Sequence, residues 1–293
     1  MTIRDIAVYL KLGWDLVKDI QKEHLKKKFN KPKIHKLKQI AIDEIYLGKK
    51  SDPQYLTIVY DLQRGNVVFV GNGKGADALK PFWQRVKRTK AQIRAVATDM
   101  SPAYISAVME HLPEATLVFD HFHIVKLFNE KLTALRRKLF HQLTTLEDKK
   151  LLKGTRWLLL KNLENLNPDK DEPKRLQEAL EINTPLTTAY YLKEDLRQLW
   201  SQPTKEHAAV FLERWLQRAW STGIRSIISV ANTLAARRSG ILAWYDCRIS
   251  TGPLEGLNNK IKTMKRQAYG FRDLEFFKLK IKAIHLSRYA LVG

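Results

Sequence analysis

Apolar positions along this chain fall into two patterns. Between residues 39 and 119 they come in short runs separated by turn residues; between 141 and 245 they recur at helical spacing. Gln39–Leu47, Tyr55–Asp61 and Val67–Val70 predict three strands, the last two joined by the turn residues Gln63-Arg-Gly-Asn66, an antiparallel meander. A helix follows with Leu79, Phe82, Trp83 and Val86 on one face. Ile93–Ala97 then predicts a fourth strand ending at Thr98-Asp99. Ser101-Pro102 opens another helix, Ala115–Phe119 predicts a fifth strand ending at Asp120, and a long basic helix leaves it. Three meandering strands followed by helix-linked ones imply an α/β fold, a mixed five-stranded sheet flanked by helices.

The remaining segments are helical. Ile6, Ala7 and Leu10, the turn Lys11-Leu12-Gly13, and then Val17 and Ile20 read as a helix-turn-helix remnant over 1–30. The lysine-rich run from Lys22 to Lys38 is interrupted by Pro32 and reads as a basic tether, with the linker proper at 31–38. Residues 141–245 form an all-helical insertion containing five of the seven tryptophans, read as packing between helices. It divides the sheet-bearing core into 39–140 and 246–293, and a last amphipathic helix runs from about Asp273 to Arg288.

One late helix carries unusual chemistry. Gly252-Pro253 marks its start, Glu255 falls in the first turn, and Asn259, Lys262 and Arg266 follow at spacings of four, three and four on the same face. Leu257, Ile261 and Met264 line another face. Two carboxylates occur at the predicted strands. Asp43 interrupts an apolar run, where an isolated charge is expensive to bury, and Asp99 ends the fourth strand. Three oxygen ligands without sulfur suit Mg²⁺ or Mn²⁺. Two such ions roughly 3.5–4 Å apart activate a water or a 3′-hydroxyl and stabilise the leaving oxygen. Taken singly, Asp43 and Asp99 are ordinary strand-end residues; their joint placement with Glu255 is what suggests a site.

Charge points to the substrate class. The 293 residues contain 52 Lys+Arg against 30 Asp+Glu, a formal net charge of +22, which a polyanion explains most simply. Neither a basic amphipathic helix nor a lipidation signal suggests a membrane surface. No apolar run approaches the roughly 20 residues of a membrane span, and the first residues do not form a signal peptide. A single cysteine, Cys247, excludes an intrachain disulfide and a cysteine-based zinc finger. The glycine cluster Asn72-Gly-Lys-Gly75 lacks the spacing of a phosphate loop. The expectation is a cytosolic protein that handles nucleic acid.

Several motifs, in order, carry a family resemblance. Ile42-Asp-Glu44, Ala97-Thr-Asp-Met-Ser-Pro-Ala-Tyr104, Phe119-Asp-His-Phe-His-Ile-Val-Lys126, Gly252–Lys262 and Lys265–Arg272 resemble the transposases of the ISL-three insertion-sequence family. That resemblance spans about residues 35 to 290 and implies a DDE-class enzyme with a ribonuclease-H-like core. Asp43, Asp99 and Glu255 would then be the metal-binding catalytic triad, holding two Mg²⁺ or Mn²⁺ ions. Asp120 and His123 match an aspartate–histidine signature, implying a place beside the metal site or in positioning DNA; without the resemblance His123 reads as a satisfied, partly buried histidine. Asn259, Lys262, Lys265 and Arg266 would grip phosphates. The implied partners are element-end and target DNA, handled by a homodimer on paired ends. Two other readings are a hydrolytic nuclease without strand transfer and a non-catalytic DNA-binding relic. Family members look longer at the N-terminus, with a cysteine-rich zinc-binding segment, so the expectation is a truncated reading frame or a decayed copy.

Overall fold

A computed structural model of the chain describes residues 2–49 and 51–286. It divides into two compact units: the residues up to Asp120 together with those from Cys247 onward, and His121–Asp246.

The first unit is built on a sheet of five strands in the order β3-β2-β1-β4-β5. These are β1 (Gln39–Tyr46), β2 (Tyr55–Asp61), β3 (Asn66–Asn72), β4 (Ala95–Thr98) and β5 (Thr116–Phe119). The first three pair antiparallel, while β1–β4 and β4–β5 pair parallel. Each parallel step needs a crossover, supplied by α3 (Ala76–Thr89) and α4 (Pro102–His111). Every residue of β4 is buried, as expected for a parallel strand covered on both faces. This is the mixed five-stranded sheet flanked by helices expected from the sequence.

Alternation along β1 sorts its side chains between the two faces. Ile40 and Ile42 join Val59, Val68, Leu79, Phe82, Trp83, Tyr104 and Val108 in the core beneath α3 and α4. Each such side chain contributes about 1.5–3 kcal/mol when fully buried. Gly71 in β3 lets α3 approach: a Cβ there would collide with the Ala78 carbonyl oxygen and lie 2.9 Å from Phe69 Cε1. Asp43, one residue on from Ile42, faces the opposite side, where α13 (Gly252–Gln267) packs through Leu254, Leu257, Ile261 and Met264.

At the N-terminal end, α1 (Ile3–Leu10) and α2 (Trp14–Phe29) pack through Ile3, Ala7, Val17 and Leu25 against Phe276, Leu279 and Ala283 of α14 (Leu274–Ala283). Two expected inward positions face outward instead: Leu10 is 53% and Ile20 59% exposed. The inner stripe follows Val17 and Leu25, since α14 meets α2 along that line. The tether also differs from expectation. Lys22 and Lys26–Lys28 belong to α2, whose last turn is lysine-rich, and Lys22 pairs with Asp273 and Glu275 at 2.9 and 2.8 Å. No helix breaker precedes Pro32 in that run. Beyond it, Ile34 and Leu37 are buried in the sheet core, which anchors the linker. Arg288, the expected end of the last helix, lies outside the described residues.

The second unit is helical: α5 (His121–Gln142), α6 (Leu146–Gly154), α7 (Arg156–Leu160), α8 (Glu172–Glu181), α9 (Thr184–Arg197), α10 (Lys205–Ser221), α11 (Arg225–Ala236) and α12 (Arg238–Leu242). It begins at His121 rather than at 141 because α5 is one continuous helix, with Ile124, Phe128, Leu132, Leu135 and Leu139 along its buried stripe. That stripe packs against α9 and α11. Trp215 is buried at the centre, its indole donating to the Leu192 carbonyl at 2.9 Å, whereas Trp157 is exposed beside Arg156.

Candidate active site

Asp43 lies in the middle of β1, half-buried. Its Oδ1 accepts the Glu44 backbone N–H at 2.8 Å, and its Oδ2 accepts the side-chain amide of Asn258 at 2.8 Å. Burial pushes its pKa up to about 7, and the negative charges of Glu44, Asp99 and Glu255 push in the same direction, against the Glu44 N–H. Asp99 and Glu255 are thus among the charges that act on Asp43, after burial and Glu44.

The topology relates the first two of these positions. Ile42 pairs with Thr98 across the parallel β1–β4 ladder, so Asp43 follows one member of that pair and Asp99, just beyond the end of β4, follows the other. Asp99 Oδ1 accepts the Ser101 N–H at 2.9 Å, a local turn that sets up the start of α4. Glu255 comes from the first turn of α13, half-buried, on the helix that covers this face of β1.

The start of α13 is itself tied down. Asp120, at the end of β5, accepts hydrogen bonds from the Thr251 backbone N–H and from the Thr251 hydroxyl, the latter at 2.7 Å. Both residues are buried. On the far face of β1, Glu44 accepts the Tyr104 hydroxyl at 2.9 Å, and that oxygen lies 3.1 Å from the Thr57 hydroxyl. Glu44 is thereby held between the sheet rim and α4.

A transposase family model of the DDE ISL3 type matches residues 40–281. The chain belongs to the ISL3 family of DDE transposases. It is 35% identical over 286 residues to the transposase of insertion sequence element IS1001 from Bordetella parapertussis, covering 96% of this chain and 69% of that protein. It is 29% identical over 260 residues to the transposase of insertion sequence element IS1557 from Mycobacterium tuberculosis, covering 81% of this chain and 57% of that protein. Among solved structures it is similar to the Drosophila P element transposase strand transfer complex, with a TM-score of 0.43 and 13% identity over 88% of this chain and 79% of that chain.

In this ISL3-family chain the donor chemistry at the three carboxylates suits a hard divalent cation. All the donors are oxygens, Asp43 is crowded by negative charge, and the buried Oδ1 of Asn258 has no hydrogen-bond partner among the described residues. As the side chains stand, no three His, Cys, Asp or Glu residues among the described ones are grouped closely enough to hold one ion.

The other expected residues divide by position. Asn259, Lys262 and Arg266 are exposed on α13, one to three turns beyond Glu255. Lys265 is turned inward, its ammonium donating to the Leu47 carbonyl beyond β1, because the last turn of α13 lies over that strand's exit. His123 lies in the first turn of α5, in the second unit, its ring edge-on to Phe122 at 5.6 Å. Sequence reasoning singled out Asn259 and missed its neighbour Asn258. The missed signal was a polar residue inside the stripe Leu254, Leu257, Ile261.

Proposed function

We propose that the chain carries the catalytic core of a DNA transposase, cleaving DNA at element ends and joining the freed 3′-hydroxyl to target DNA. The observation that carries this reading is the family match over residues 40–281, and beside it negative charge from Glu44, Asp99 and Glu255 crowds the half-buried carboxylate of Asp43. Such crowding destabilises the ionised site in isolation, and a bound cation reverses the sign.

Asp43, Asp99 and Glu255 would hold the ions, Mg²⁺ or Mn²⁺, which supply an activated water or 3′-hydroxyl and charge neutralisation at the leaving oxygen. Asn258 orients the Asp43 carboxylate through its 2.8 Å hydrogen bond. Asp120 fixes the point at which α13 begins, and with it the height of Glu255 above the sheet. Asn259, Lys262 and Arg266 face the substrate phosphates from the exposed side of α13. Lys265 acts as a strut to β1, and His123 is assigned to positioning DNA from the second unit.

Incubating the full chain with labelled element-end DNA, a target plasmid and Mg²⁺ tests the reading. Joined products support it, nicked products alone reduce it to a nuclease, and Asp99→Asn should abolish both while leaving DNA binding intact. Products unaffected by Asp99→Asn would remove the carboxylates from the chemistry.

A further inference from the structure

We propose that the end of the sheet opposite the carboxylates holds a second binding groove for the phosphate backbone of duplex DNA, built from Lys36, Lys38, Arg64, Lys90 and Arg94. The inference rests on the reading that DNA is the substrate. It adds a contact surface that neither the carboxylates nor the exposed face of α13 provides.

These five cations and His35 line a groove of about 550 Å³ together with two glutamines and Leu37. They come from three separate loops: the approach to β1, the β2–β3 turn and the segment between α3 and β4. The loops are locked to one another. The backbone N–H groups of Arg94 and Ala95 both donate to the Lys38 carbonyl, at 2.7 and 3.2 Å, and the Leu62 N–H donates to the Gln39 carbonyl at 3.1 Å. These backbone bonds therefore fix the three segments that carry the cations relative to one another.

Among the described residues no carboxylate lines the groove. Asp61, buried at the end of β2 beside Arg64, has an Oδ1 that already accepts the N–H groups of Gln63 and Arg64 at 2.9 and 3.1 Å. Its other oxygen lies 3.9 Å from Arg64 Nε, a partial offset for one of the five charges. Lys36, Lys38, Lys90 and Arg94 form no ion pair among the described residues. Like charges gathered in this way repel, and a ligand carrying several negative charges in a row relieves all of them together.

The lining also selects among anions. Small-molecule sites are mostly apolar with a few polar groups; here the one apolar lining residue, Leu37, is buried in the core beneath. Cations spread over the end of a sheet match a duplex, which carries one charge per about 1.7 Å of its axis. The groove is also remote from the chemistry. Lys38 precedes Asp43 by five residues of extended chain, about 16 Å at the strand rise. A duplex bound there is a segment other than the phosphodiester at the carboxylates.

The test is the anisotropy of a labelled 30-base-pair duplex titrated with the full chain in EDTA between 50 and 300 mM salt. The variants are K36Q/R64Q/R94Q and a control of equal charge change, K150Q/K153Q/K174Q, all at exposed positions. The groove variant should bind at least tenfold more weakly at 150 mM salt, with the slope of log K against log salt shallower by about 2 to 3, since each lost phosphate contact removes about 0.9. Its cleavage rate at saturating DNA should equal that of the unsubstituted chain. Unchanged affinity, an equal loss in the control, or equally tight binding of poly-glutamate overturns the proposal. An unsubstituted chain that binds duplex through the groove but never cleaves it would leave the groove standing and sink the transposase chemistry. Failure to bind duplex at any salt would end both.

Discussion

Asp120 and Thr251 meet in the interior of the first unit, the aspartate accepting both the backbone N–H and the hydroxyl of the threonine. They are 131 positions apart in the chain, separated by the entire helical unit. Asp120 follows the last residue of β5 and Thr251 precedes α13, so this contact relates the parallel edge of the sheet to the helix that bears Glu255.

Asp120→Ala leaves two buried donors on Thr251 without an acceptor, at a cost of about 1–3 kcal/mol each. Thermal melts should show the destabilisation, and cleavage should fall by at least 100-fold as α13 loses its anchor. Asp120→Asn keeps one accepting oxygen and should lose less of both. Full cleavage by the alanine variant would show that Glu255 is placed by other contacts.

Asp43 makes stability depend on pH in a defined direction. Its folded pKa of about 7 lies above the ordinary 3.8, so the folded protein holds a proton that the unfolded chain has released. The resulting stabilisation is complete below about pH 4 and is lost as pH rises through 7. In EDTA, Asp43→Asn should therefore gain stability relative to the unsubstituted chain between pH 5 and 8, by on the order of 2 kcal/mol. Added Mg²⁺ should raise the melting temperature of the unsubstituted chain alone. Parallel denaturation curves for the two proteins at both pH values would contradict this.

Asn258 donates to Asp43 at 2.8 Å, so its substitution separates hydrogen bonding from charge. Asn258→Asp adds a carboxylate beside Asp43 and should destabilise the fold more at pH 8 than at pH 5. Asn258→Leu removes the donor without adding charge and should shift stability by a similar amount at both pH values. Urea titrations at the two pH values check the contrast, and both variants should cleave at least tenfold more slowly.

Gly71→Ala should cost more than 2 kcal/mol, because the added methyl meets the Ala78 carbonyl and Phe69, neither the flexible tip of a long side chain. The readout is the denaturation midpoint; an unchanged midpoint would mean that α3 can move away from β3 without loss.

Much of the architecture was legible in the chain itself. Short apolar runs, turn residues and helical spacing report on a residue's near neighbours, and they located the five strands, the crossover helices and the helical stretch from Leu151 to Trp220. The same local reading nominated Asp43, Asp99 and Glu255, because a carboxylate in an apolar strand or a first helical turn stands out against its surroundings. Tertiary structure decided the rest. Asn258 rather than Asn259 touches Asp43, Lys265 turns in to Leu47, and Leu10 and Ile20 point outward while Leu25 is buried. Five cations from three loops meet at one end of the sheet. Each of these depends on which distant segment packs against which face, and periodicity carries no record of that. A helix pattern specifies that one side is apolar; the partner that covers it sets, to within one residue, which side chain reaches the site.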